Sequence, residues 1–214
     1  MTPDRFLQGD GARAILERAG AATGLGWAVH AATDGEETTV VSSGRPCAAC
    51  AYVSNQLGGR AACTQSRQQA AGRALRQGRA LGFVCHLGLA CVTAPVLDRY
   101  PATVTLGPFV PREAPHGLAG DVANGLAALL GEAPDPMPVA LDDVPVVAAD
   151  APLAALAWLQ ATLAERYAAA QAAPMDGAAT APDDAWLTAA GRRHLRSRPR
   201  ADVLPAREIV VALA

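Results

Sequence analysis

Three strand-like runs stand close together in the middle of this 214-residue chain: Leu81 to Cys85, Val92 to Leu97 and Thr103 to Val110, with Asp98 to Pro101 turning between the last two. Upstream, Trp27 to Ala31 and Thr38 to Ser42 flank Thr33-Asp34-Gly35-Glu36, where Asp-Gly supplies the positive-φ backbone that a hairpin wants. Five short strands follow from this pattern. They predict an α/β fold of the α+β kind, a five-stranded antiparallel sheet with flanking helices.

The helices are read from three-and-four spacing. Ala12, Ile15, Leu16 and Ala19 mark an opening helix that stops at the glycines between Gly20 and Gly26. Arg60 to Gln77 is helical, with Cys63, Ala70, Ala74 and Leu75 near one face and Gly78 placed to close it. Asp121 to Leu130 forms another helix. After the proline-rich connection Ala133 to Pro145 comes a long C-terminal helix from Pro152 to about Ala173, whose buried stripe is Leu153, Leu156, Leu163 and Tyr167 and which offers a dimer seam. Ser43 to Gly59 loses its period and reads as a loop or short irregular helices carrying Cys47 and Cys50. The expected organisation is one domain over 1–173 and an appended tail over 174–214, with a short helix near Asp183 to Leu195.

Composition excludes several functions. All 18 basic residues are arginine, so phosphate loops built on lysine, Schiff-base enzymes and kinase-like sites are out. A net charge of -2 gives no general attraction to nucleic acid or anionic membrane, and with aromatics at 4% there is no platform for stacking bases. The one basic cluster, Arg192, Arg193, His194, Arg196, Arg198 and Arg200, reads as a solvated helix end; only 14 residues follow it, too few for a helix-turn-helix. Neither a membrane span nor a secretory leader is visible, so a cytoplasmic location is expected, without membrane or direct nucleic-acid partners.

Five cysteines in a reducing compartment point to metal binding, thiol chemistry or plain burial rather than a disulfide framework. Cys47 and Cys50 form a C-x2-C pair; Cys63 follows after twelve residues, and Cys85 with His86 after twenty-one more. Thiolates at such spacing can converge on zinc or an iron–sulfur cluster, and Cys47, Cys50, Cys63 and Cys85 are the candidate ligands. Neither cofactor is required by the pattern. Cys63, near the start of a helix, is expected to have a lowered thiol pKa.

The same residues carry a family resemblance. Cys50, Cys63-Thr64-Gln65-Ser66, the helix through Gly78 and Cys85-His86-Leu87-Gly88-Leu89 resemble the PocR sensory domain, whose signature has a first Cys, a second Cys ahead of a Ser-containing helix and a Cys-His-x-Gly-Leu motif. Ala94-Pro95-Val96, Leu106-Gly107-Pro108-Phe109, Val144-Pro145-Val146 and the Leu153 to Tyr167 helix extend the likeness over about residues 10 to 173. It implies a variant PAS-like fold that binds a small molecule, with hydrocarbon derivatives such as propanediol or glycerol-like compounds as the proposed ligand class. Family members are typically joined to AraC-type DNA-binding, histidine-kinase or cyclic-dinucleotide output domains. Three departures stand out: Ser66-Arg67 replaces the usual Ser-Asp, the acidic residue often found soon after the Gly-Leu is absent, and Cys47 and Cys91 are additional thiols.

The expected ligand site is therefore Cys50, Cys63, Cys85, His86, Gly88 and Phe109, with Gly88 leaving room for close approach. Trp27, Tyr52 and Phe83 are further candidates for its walls. The expected function is a non-enzymatic sensor that signals to a separate output protein or to a second copy of itself. The alternative is a cysteine-ligated metal or iron–sulfur redox sensor on the same fold. A Cys-His nucleophile ranks last, because neighbours on an extended strand point to opposite faces.

Overall fold

A computed structural model describes residues 1–33, 36–43, 47–56, 58–113, 118–131 and 142–172. The Asp34-Gly35 turn, most of the proline-rich connection and the 174–214 tail with its arginine run lie outside the described residues. The elements in chain order are α1 (Pro3–Leu7), α2 (Asp10–Thr23), β1 (Trp27–Thr33), β2 (Glu36–Ser42), α3 (Ala48–Ser54), α4 (Gly59–Gln77), β3 (Leu81–Val84), β4 (Ala90–Pro95), β5 (Ala102–Pro111), α5 (Leu118–Leu130), β6 (Val146–Val147) and α6 (Asp150–Ala172). Among them no helix is long and apolar enough to cross a membrane.

The five expected strands form one antiparallel sheet in the order β2-β1-β5-β4-β3. A two-residue strand, β6, adds to β5 in parallel, through Val110 with Val146 and Pro111 with Val147. Alternation sorts each strand onto two faces. Val29 and Ala31 of β1, Val92 and Ala94 of β4, and Ala102, Val104 and Leu106 of β5 join the main core with Ile15 and Leu16 of α2 and Leu156, Leu159 and Leu163 of α6. Those three α6 leucines are fully buried, each contributing about 1.5–3 kcal/mol by leaving water. Leu153 and Tyr167 pack at the edge of the same core. The apolar stripe of α6 is thus filled by this chain itself, so a second copy would have to meet another surface.

The opposite face of the sheet is more polar. His30, Thr93 and Thr103 are buried there, and Thr105 donates to Thr93 Oγ1 (3.2 Å), which donates in turn to the Val104 carbonyl (3.2 Å). The α4 helix lies over this face, burying Ala70 beside Phe83 and Cys91. A third cluster joins α3, the turn after β3 and α5: Ala49 and Val53, Leu87 and Leu89, Val122 and Leu126, with Val144.

One irregularity redirects a side chain that the sequence assigns to the ligand site. Val92 is paired with Leu106, but two residues earlier Ala90 is paired with Phe109, three residues later, so β5 carries one extra residue at Gly107–Pro108. Such a bulge inverts the alternation beyond it. By simple alternation Phe109 would share the face of Thr103 and Thr105; the bulge turns it into the main core, where it is buried.

Candidate functional site

The polar sheet face, α3, α4 and the turn after β3 enclose a cavity of about 570 Å³. Its walls include Trp27 and His30 from β1, Cys47 and Cys50 from the start of α3, and Cys63, Ser66 and Arg67 from α4. Phe83, Cys85, His86 and Leu87 come from β3 and its turn, Cys91 from β4, Thr105 and Gly107 from β5, and Asp143 from the approach to β6. Cys63, Ser66 and Arg67 share one wall because positions three and four apart lie on one helix face.

The Cys85-His86-Leu87-Gly88-Leu89 segment is a tight turn. The Cys85 N–H donates to the Leu89 carbonyl (2.9 Å), and the Gly88 N–H donates back to the Cys85 carbonyl (2.9 Å). Leu87 and Leu89 are buried in the cluster with α5 and anchor the turn, leaving Cys85 and His86 at the cavity wall. Gly88 has φ +75°, and a Cβ there would stand 2.7 Å from Asp121 Cβ. Its missing side chain therefore makes room for α5, not for a ligand. Gly88 and Phe109 are the two expected ligand residues that the structure places off the cavity, whereas Cys50, Cys63, Cys85 and His86 all reach it.

The polar groups of the wall are arranged in pairs. Cys47 is the N-cap of α3, its sulfur accepting from the Cys50 N–H (3.5 Å). The Cys50 thiol acts on the Cys47 sulfur, and the Cys91 thiol on that of Cys85. Cys63 Sγ lies 3.9 Å from His86 Nε2. The other ring nitrogen, His86 Nδ1, is buried with no hydrogen-bond partner among the described residues. His30 Nδ1 stands 3.3 Å from Thr39 Oγ1.

These contacts set the acidities. The Cys50 thiol and the N–H groups of Cys50 and Ala49 bring Cys47 down from 9.0 to about 7, against burial and the Asp143 carboxylate. The Cys91 thiol, with the N–H groups of Leu87 and Leu89, brings Cys85 to about 7 against burial. Their partners, Cys50 and Cys91, move upward for the same reason, each holding its proton for the neighbouring sulfur. Cys63 is raised, by burial first and then by Cys85, with Arg67 opposing. This reverses the expectation for Cys63: it is the fifth residue of α4, past the first turn where the positive helix end acts. Burial lowers the His86 pKa, keeping the ring neutral and able both to donate and to accept.

The four expected metal ligands, Cys47, Cys50, Cys63 and Cys85, reach one cavity, yet among the described residues no group of three or more histidine, cysteine or acidic side chains is placed to hold an ion. Of the four aromatics expected at the walls, Trp27 and Phe83 line the cavity and Tyr52 and Phe109 do not. His30, Thr105 and Asp143 line it without having been singled out in the sequence. His30 and Thr105 are signalled only by alternation within their strands. Asp143 carries no local signal, since only the fold brings it to α3, where its Oδ2 accepts from the Ala48 N–H (2.6 Å).

A family model, the sensory domain found in PocR, matches residues 6–168. No curated protein and no solved structure matches the chain.

Proposed function

This chain belongs to the family of sensory domains found in PocR, a sensory and not a catalytic family, and on that premise we propose that it senses a small hydrocarbon derivative of the diol kind in the cavity beside the Cys85–His86 turn. The observation that carries the reading is the His86 Nδ1 atom, buried without a partner in the wall of a cavity of about 570 Å³. A buried polar atom left unpaired costs about 1–3 kcal/mol, and a ligand hydroxyl would remove that cost. Ser43, Ser66, Thr105 and His30 line the same space and suit a second hydroxyl; Phe83 suits the carbon skeleton.

The route outward runs through Asp143. It borders the cavity and accepts from the Ala48 N–H at the start of α3, and the residues after it form β6 and lead into α6. Ligand occupancy at Cys50, Cys63, Cys85 and His86 shifts the population of this connection, and α6 passes the change to a separate output protein or a second copy.

The test is calorimetric titration of the reduced protein with 1,2-propanediol, ethylene glycol and glycerol. Saturable binding by one of them, weakened roughly 2- to 10-fold in His86→Ala, is the expected result, that being the factor one hydrogen bond supplies. Absence of binding by all three removes the diol reading. Stoichiometric zinc or iron in the anaerobically purified wild type, lost in Cys63→Ser, replaces it with the metal sensor.

A further inference from the structure

Two pairs of cysteines neighbour one another in this wall, and they differ in what they can become. Cys47 and Cys50 are the N-cap and third residue of α3, with the Cys50 N–H directed at the Cys47 sulfur. Cys85 and Cys91 lie on adjacent strands but not opposite one another: Cys91 is paired with Phe83, and Cys85 is bonded across to Leu89. Diagonal neighbours across a ladder stand about 7–8 Å apart, beyond the roughly 4.4–6.8 Å between Cα atoms that a disulfide spans. Cys63 faces a histidine instead of a thiol. Of these, Cys47 and Cys50, three positions apart at the start of one helix, have the spacing that a disulfide can span.

We propose that Cys47 and Cys50 form a peroxide-reactive dithiol that closes reversibly to a disulfide in the cavity wall. The inference goes beyond the ligand reading and stands without it. The sulfur of Cys47 attacks one oxygen of hydrogen peroxide; an S–O bond forms, the O–O bond breaks, and the departing hydroxide takes up a proton as water. The Cys50 sulfur then attacks the sulfenic sulfur; the S–S bond forms, the S–O bond breaks, and the hydroxyl leaves as a second water with the Cys50 proton. The two sulfurs together lose two electrons and the peroxide gains two. The Cys47 sulfur already accepts the Cys50 N–H (3.5 Å), so the sulfur that is oxidised first is held beside the residue that closes the disulfide.

The arginine-only basic content makes the test direct. Arg45 is followed by Pro46, a bond trypsin leaves intact, so Cys47 and Cys50 emerge together on peptide 19–60; Cys63 emerges on 61–67, and Cys85 with Cys91 on 80–99. The full chain, reduced and freed of reductant, is treated with a few equivalents of hydrogen peroxide, blocked with iodoacetamide, digested and weighed. The expected result is peptide 19–60 two hydrogens lighter and unalkylated, restored by dithiothreitol, while 61–67 and 80–99 are alkylated. In Cys50→Ser, peptide 19–60 should instead carry a dimedone adduct on Cys47. The proposal is overturned if 19–60 remains doubly alkylated, if it is joined to another peptide, or if 80–99 closes first. Diol titration of the reduced protein is a separate measurement, so failure of either reading leaves the other standing.

Discussion

Replacing Gly125 with alanine tests whether α5 truly seats the His86 turn. On an open helix the change would stabilise by about 1 kcal/mol, because glycine is the poorer helix former. Here a Cβ would lie 2.4 Å from the His86 carbonyl oxygen and 2.8 Å from Leu87 Cα. Both are backbone atoms and cannot rotate aside, and the turn cannot retreat because Leu87 and Leu89 are fixed in the cluster beneath it. Taking overpacking at the upper end of its usual range, about 3 kcal/mol, and subtracting the propensity gain leaves a net loss of about 2 kcal/mol. For a domain of this size that is a fall in Tm of roughly 4–8 °C. Gly72→Ala on α4 is the matched control: its Cβ would meet only the flexible end of Arg76, at 3.4 Å, so it should gain about 1 kcal/mol. Thermal unfolding followed by circular dichroism, with urea midpoints as a second measure, reads both. A Gly125→Ala protein as stable as wild type would mean that α5 does not bear on the turn, and the account of His86 positioning would fall.

Three further outcomes are expected. Leu159→Ala, at a fully buried position of α6, should cost about 2–5 kcal/mol in urea unfolding; a loss below about 1 kcal/mol would show that α6 does not close the main core. Iodoacetamide reacts with thiolates, so the labelling rate of Cys47 and Cys85 should rise as pH passes up through about 7, whereas Cys63, whose pKa is raised above 9.0, should follow at higher pH; Cys63 labelling first would contradict the pairing of the sulfurs. Asp143→Asn keeps an oxygen for the Ala48 N–H but removes the carboxylate that opposes ionisation of Cys47, so the Cys47 labelling curve should move to lower pH; an upward shift would refute that assignment of charge.

Periodicity carries the regular elements well. α2 was legible because Ala12, Ile15, Leu16 and Ala19 are its buried face, and α4 because Gly78 ends it in the left-handed conformation. What escaped is short or non-local. α1 has five residues; α3 has seven, in a segment that shows no period and reads as a loop or short irregular helices. β6 exists only by pairing with β5. At the site, the residues of the Cys-His-Leu-Gly-Leu motif divide: Cys85 and His86 border the cavity, and Gly88 lies against α5, more than thirty positions away in sequence. Strand parity cannot announce the bulge that withdraws Phe109 from the cavity.

That extra residue in β5 has an evolutionary reading. Removing one residue at Gly107–Pro108 would take the bulge out and leave Phe109 opposite Ala90, still on the main-core side with Leu106, because only one residue would then stand between the two. A single-codon insertion at this point is thus absorbed in the chamber wall, where Gly107 and Pro108 sit, while the aromatic ring keeps its place in the core.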